Sequence, residues 1–156
     1  MSGSSTYVVE RRQRVDAPAS AVYERLVDFR RWRAWSPWED LDPELRREYG
    51  GADSGVGATY AWEGNRKAGK GHMEVVGAEP AESVTVDVQF IKPFKSTSTA
   101  VFQLRPDGDG TVVTWTMTGP KTMMTRVMGL FTSMDKMIGP DFEKGLDRLK
   151  ADAEAG

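Results

Sequence analysis

The chain contains no cysteine and a single histidine, His72. Without cysteine there is neither a disulfide framework nor a thiolate metal site. One histidine cannot supply paired imidazoles to zinc, so no metal site is expected. Any Ser-His-Asp arrangement would need His72 as its base, and no nucleophile-elbow sequence accompanies it. No stretch approaches the roughly 18 consecutive apolar residues of a membrane span, so stable membrane insertion is not expected. A strong charge of either sign is missing too: 21 basic residues stand against 23 acidic ones, a net charge of −2. That balance gives no long-range attraction for nucleic acid. Met1 to Thr6 lacks the basic start and apolar run of a signal peptide. Residues 1–6 read as a disordered lead-in and 7–153 as one domain, with a cytoplasmic location expected.

What the chain does have is large, soft side chains: 5 Trp, 8 Met and 10% aromatic residues among 156. Their spacing assigns them to elements. Tyr7 to Val15 is rich in β-branched residues and reads as a first strand. Asp16-Ala17-Pro18 marks a helix start, and Val22, Leu26 and Phe29 then fall on one helical face. Asp28 to Trp38 reads as a second short helical piece, stopped by Pro37. From Leu45 to Thr118 the period changes to two. Leu45 to Tyr49, Ala58 to Glu63, Lys70 to Gly77, Val84 to Phe90, Lys95 to Leu104 and Thr111 to Thr118 are six further strands. Asp107-Gly108-Asp109-Gly110 is a hairpin signal between the last two. Beyond Thr122 the pattern is helical again, with Met124, Met128 and Phe131, then Phe142, Leu146 and Leu149. Gly139-Pro140 should kink that helix or divide it. Strands with one apolar and one polar face form an antiparallel sheet wetted on one side, an α+β arrangement with the helices on the other.

This order of elements resembles the START-like (SRPBCC, helix-grip) superfamily, and within it the polyketide cyclase/dehydrase-type branch. The resemblance spans Tyr7 to about Lys150. It is carried by Ala17-Pro18 with Val22, Leu26 and Asp28, then Trp32, Trp35-Ser36-Pro37-Trp38, Tyr60-Ala61-Trp62-Glu63-Gly64-Asn65, and Phe142-Glu143 with Gly145-Leu146. It implies a helix-grip fold: a curved antiparallel sheet of about seven strands wrapped around a long C-terminal helix, with two short helices after strand 1. It also implies a cavity between sheet and helix. Members of the superfamily bind lipids, sterols, hormones or polyketide intermediates.

The candidate ligand-binding residues are Trp35, Trp38, Tyr60, Trp62, Phe90, Phe94, Trp115, Met117, Met123, Met124, Met128 and Phe131. Each is also an ordinary core type. Pockets are mostly apolar, and thioethers adapt to varied partners, which gives the set its functional reading. Which face of each strand looks inward is not written in the alternation. His72 and Glu63 are the candidate catalytic residues, as proton-transfer groups, and Glu74 shares a strand face with His72. Gly64 to Lys70 fits the spacing of a phosphate-binding loop. Gly71 stands where a hydroxyl would hold Mg²⁺, and the segment leads into a strand, so it reads as a basic turn. No cofactor is expected.

Three functions compete on these residues. The first is binding or transport of a small, largely hydrophobic molecule. The second is a cyclase/aromatase- or dehydratase-like enzyme that orients its substrate in a dry cavity. The third is a protein-interaction module, chaperone-cofactor-like. The residues do not state an oligomeric state.

Overall fold

The structure, a computed structural model, describes residues 6–39, 42–66, 68–92, 95–120 and 134–155. Seven strands form one sheet: β1 (Thr6–Val15), β2 (Arg46–Gly51), β3 (Ala58–Glu63), β4 (Lys70–Glu79), β5 (Ser83–Lys92), β6 (Ser96–Asp107) and β7 (Gly110–Pro120). Their spatial order is β1-β7-β6-β5-β4-β3-β2, and every neighbouring pair is antiparallel. After β1 the chain crosses to the far edge through α1 (Ala19–Val27) and a 3-10 helix (Phe29–Ala34). It then meanders back until β7 lies beside β1. The long helix α2 (Met134–Ala155) ends the chain. This is the expected helix-grip α+β fold. The second helical piece is shorter and tighter than the Asp28 to Trp38 reading, and Trp32 within it and Trp35 just after it have work to do elsewhere.

That work is capping. The last carbonyls of a helix lack intrahelical partners. Trp32 Nε1 donates to the Leu26 carbonyl at 2.9 Å, and Trp35 Nε1 donates to the Arg25 carbonyl at 3.1 Å. Both indoles thereby satisfy the end of α1 while their rings enter the core. At the other end of α1 Pro18 holds the cap position, its carbonyl accepting from the Ala21 and Val22 amides.

The two sheet faces separate by alternation. Met73, Val75, Val84, Val86, Val88, Ala100, Phe102, Val113, Trp115 and Met117 are buried, whereas His72, Glu74, Thr85, Asp87, Thr99, Thr114 and Thr116 between them are half-exposed. The apolar set is the concave face, toward the helices. At the β6–β7 turn Gly108 takes a φ of 61° as the first residue of a two-residue loop, a geometry that matches the right-handed twist of the strands.

Helix α2 buries Phe142, Leu146, Leu149 and Ala153, a single helical stripe. Arg11 pairs with Glu143 at 2.8 Å, Gln13 donates to Asp147 at 2.7 Å, and the Asp16 amide donates to Glu154 at 2.7 Å. Partners rise together along both elements, so β1 and α2 run in the same direction. Arg25 and Asp152, at 2.7 Å, tie α1 to α2. Of the two outcomes expected at Gly139-Pro140, division does not occur, since α2 is continuous with Pro140 inside it. Pro140 is exposed and in the helix's second turn, so it forfeits one backbone bond while the buried stripe beyond holds the helix down. Gly139 serves packing: a Cβ there would stand 2.2 Å from Arg11 Nη2.

Truncating a buried aromatic removes its transfer energy and leaves a cavity, at a cost of about 3–5 kcal/mol. Phe142→Ala should therefore lower unfolding stability by about that amount in a urea titration, whereas His72→Ala on the outer face should stay within about 0.5 kcal/mol of the parent. Equal effects would contradict the assignment of faces.

Candidate functional site

The concave face carries two aromatic groups. The first joins sheet to helix. Trp115 stacks on Phe142 with centroids 4.0 Å apart and planes 4° from parallel. Trp35 stands edge-on to Trp115 at 5.6 Å and to Phe102 at 5.8 Å, and Trp38 is edge-on to Trp115 at 5.7 Å and to Phe142 at 6.0 Å. Trp35 is fully buried and Trp115 is 1% exposed. Of the tryptophans expected to bind a ligand, these two therefore pack against each other and their neighbours, while Trp38 is only half-buried.

The second group lies at the β3–β5 side. Phe29 approaches Tyr60 at 5.9 Å, Tyr60 stacks on Trp62 at 6.1 Å, and Trp62 meets Phe90 edge-on at 6.1 Å. The six-membered ring of Trp62 lies over Gly71. A Cβ on that glycine would come within 2.3 Å of the indole, so glycine is what lets the ring rest on the sheet. Trp62 Nε1 donates to the Ala68 carbonyl at 2.9 Å, which fixes the ring's orientation. The same device recurs across the sheet, where Tyr7 crosses Gly119 and its hydroxyl meets Ser98 Oγ at 2.8 Å. Tyr7, Trp62 and Phe90 are half-buried, and the concave floor among them is formed by Met73, Val88, Ser98, Ala100 and Met117. The result is a mostly apolar patch whose floor residues are buried and whose rim rings are partly open.

A polar cluster borders this surface. Glu39 accepts from Tyr60 Oη at 2.7 Å and pairs with Arg47 Nε at 2.9 Å. Arg47 Nη2 also donates to the Glu39 carbonyl at 3.0 Å. Burial, together with the hydrogen bond to Glu39 and its negative charge, pushes the Tyr60 phenol well above the ordinary 10.0. Burial also raises the neighbouring Tyr49 phenol, with the charge of Glu39 adding to it. The cluster latches the segment after the 3-10 helix onto β2 and β3. Neither Glu39 nor Arg47 stood out in the sequence. The only hint was Tyr60 itself, a buried-face residue whose hydroxyl needs a partner.

His72 and Glu63 lie on the other face. His72 stands opposite Ala61 and Gln89, and Glu63 opposite Arg46 and Lys70, on the convex side shared with Glu74 and Asp87. They are thus separated from the apolar floor by the sheet itself. Met117 is 5% exposed on the concave face. Phe94, Met123, Met124, Met128 and Phe131 lie outside the described residues. Among the described residues no group of acidic and histidine side chains could hold a metal ion. A shallow depression lined by Ala34, Arg148, Ala151 and Asp152 is open to solvent and gathers no chemistry of its own.

The raised Tyr60 phenol gives a pH test. Its protonated form is favoured in the folded state, so the stabilisation is complete below the ordinary phenol value and is lost progressively as pH rises from there through the higher folded value. Near pH 11, about a unit above the reference value, folded parent and Tyr60→Phe should therefore have equal tyrosinate absorbance. In denaturant they should differ by one tyrosinate. A difference already present in the folded proteins would contradict the buried Glu39 contact.

Residues 6–154 match the family described as polyketide cyclase / dehydrase and lipid transport. No curated protein sequence matches the chain. Among solved structures, a protein from Rhizobium leguminosarum superposes with a TM-score of 0.68 at 13% identity, over 97% of this chain and 96% of its own. Protein MLL2253 from Mesorhizobium loti gives 0.64 at 22% identity, over 94% and 97%. Ara h 8.0201 gives 0.64 at 10% identity, over 97% and 99%. At these identities the structural likenesses establish the fold alone. The family match covers nearly the whole chain, and with the gripped helix and seven-stranded sheet it makes this protein a member of the polyketide cyclase/dehydrase and lipid transport family within the START-like superfamily.

Proposed function

We propose that the protein binds a small, largely apolar molecule on the concave face, between the sheet and α2, without transforming it. The observation that carries this reading is the ring-bordered end of the concave face, with Tyr7, Trp62 and Phe90 half-exposed around the buried Met73, Val88, Ala100 and Met117. Apolar area of that kind gains free energy by covering itself with a guest. The family's description, which includes lipid transport, supports it. The convex placement of His72 and Glu63 weighs against the cyclase-like alternative, because proton transfer needs hydrogen-bond reach to the substrate. Nothing in the packing singles out a protein-interaction face: the exposed large apolar residues of the described chain, Val8, Val56, Val76 and Ile91, are scattered. Among the described residues no helix is long and apolar enough to cross a membrane. A cytoplasmic carrier suits a chain without cysteine.

Binding is tested with the uncharged fluorophore N-phenylnaphthylamine. The parent should bind it with enhanced emission, and Trp62→Ala with Phe90→Ala should weaken binding by about tenfold or more, the equivalent of losing one or two buried ring contacts. Val8→Ala, on the convex face, should leave the Kd unchanged. Equal affinity in the parent and the ring-truncated variant would contradict the site.

A further inference from the structure

The two edges of the sheet are finished differently. An edge strand carries a row of backbone N–H and C=O groups that no neighbouring strand takes up. On β1 the chain's own side chains occupy part of that row. The Glu10 carbonyl accepts from Arg11 Nη1 at 2.8 Å, and the Arg14 amide donates to Gln13 Oε1 at 3.1 Å. On β2 they do not. Bonding alternates along an antiparallel ladder. The Ala52 amide donates to the Gly57 carbonyl at 3.2 Å and extends the β2–β3 register, so Gly50, Glu48 and Arg46 are the residues that bond to β3. Arg47 and Tyr49 between them turn their backbone groups outward. Among the described residues those groups have no partner.

Charge decides what such an edge can take. Arg46 and Glu48 lie on the convex side, opposite Glu63 and Ala61 of β3, and both are exposed. Among the described residues neither forms an ion pair or a side-chain hydrogen bond. Arg47, on the concave side, is already neutralised by Glu39 at 2.9 Å. The order Arg46-Arg47-Glu48 is therefore complementary to itself when two copies run antiparallel. With the two Arg47 residues opposed on a two-fold axis, Arg46 of each copy faces Glu48 of the other. Opposed residues share a face of the sheet, and this rung is the closer, non-hydrogen-bonded kind. The two Arg47 residues exchange backbone bonds on the axis. A foreign strand with another charge order would leave these charges opposed or unmatched. The charges that blunt the edge toward other chains thus admit a second copy.

We propose that β2 pairs antiparallel with β2 of a second copy of this chain, giving a weak two-fold dimer in which the two sheets continue into one. The contact is isologous, so every interaction occurs twice. It needs no apolar patch and is independent of what the concave face binds.

Sedimentation velocity on the full chain tests this. β2 has only 6 residues. So short a contact lies at the small end of interfaces, and half of the parent should dimerise near about 0.1 mM. Arg46→Glu and Glu48→Arg each turn both cross-copy pairs into like-charge pairs, and each should weaken dimerisation about tenfold. They change net charge in opposite directions, so a general charge effect cannot produce both losses. Arg46→Glu/Glu48→Arg exchanges the charges and should restore dimerisation to within about twofold of the parent. Glu10→Arg, on the β1 edge, should leave it unchanged. All three replaced residues are exposed, and circular dichroism establishes that each variant is folded. A parent that stays monomeric up to about 1 mM overturns the proposal. So does a dimer that the single variants fail to weaken or that the charge exchange fails to restore.

Discussion

The contact between Trp115 and Phe142 decides what the rest of this molecule can do. It is a face-to-face stack at 4.0 Å, closer and more parallel than aromatic pairs usually prefer. It holds because Trp35 and Trp38 are edge-on to the same rings, and because Gly145 gives the indole room beside Pro37. Through this joint the helix is gripped over β1 and β7. Leu146, Leu149 and Ala153 continue the contact toward the helix C-terminus, and three polar bridges from Arg11, Gln13 and Asp16 fix its direction.

The two ends of the concave face consequently differ. Where the helix is clamped, rings interlock and the space is filled, as close packing requires. Toward the starts of β1, β4 and β6 and the ends of β3, β5 and β7 the lining changes character. Glycines let Tyr7 and Trp62 lie on the backbone, and the small Ser98 and Ala100 are buried between them. The Glu39–Arg47–Tyr60 cluster borders this second region and fastens the loop that follows the 3-10 helix. One end thus provides stability and the other provides surface.

Much of the fold was legible because it rests on periodicity. Alternation across Val84 to Phe90 identifies a strand whatever its neighbours, and the Asp107 to Gly110 turn fixes the last hairpin. The helix stripe of Phe142, Leu146 and Leu149 was equally plain. The site was harder, since alternation gives two faces and does not say which is inward. Trp115 and Met117 turned in, and His72, Glu63 and Glu74 turned out, only once the helix chose its side of the sheet. Glu39 and Arg47 were invisible for a different reason: they are far from each other's local pattern and meet through a loop. Pro140 does not divide the helix because proline propensity is local, whereas the helix around it is held by tertiary burial.

The central claim is that a guest occupies the ring-bordered end and leaves the clamped end untouched. Methyl NMR during titration with an apolar ligand tests it most directly. The methyls of Met73, Ala100 and Met117 should shift, while those of Val15, Val113 and Leu149 should not. Shifts confined to the clamped end or to the convex Val101 and Val112, or no shifts at saturating ligand, would contradict the account.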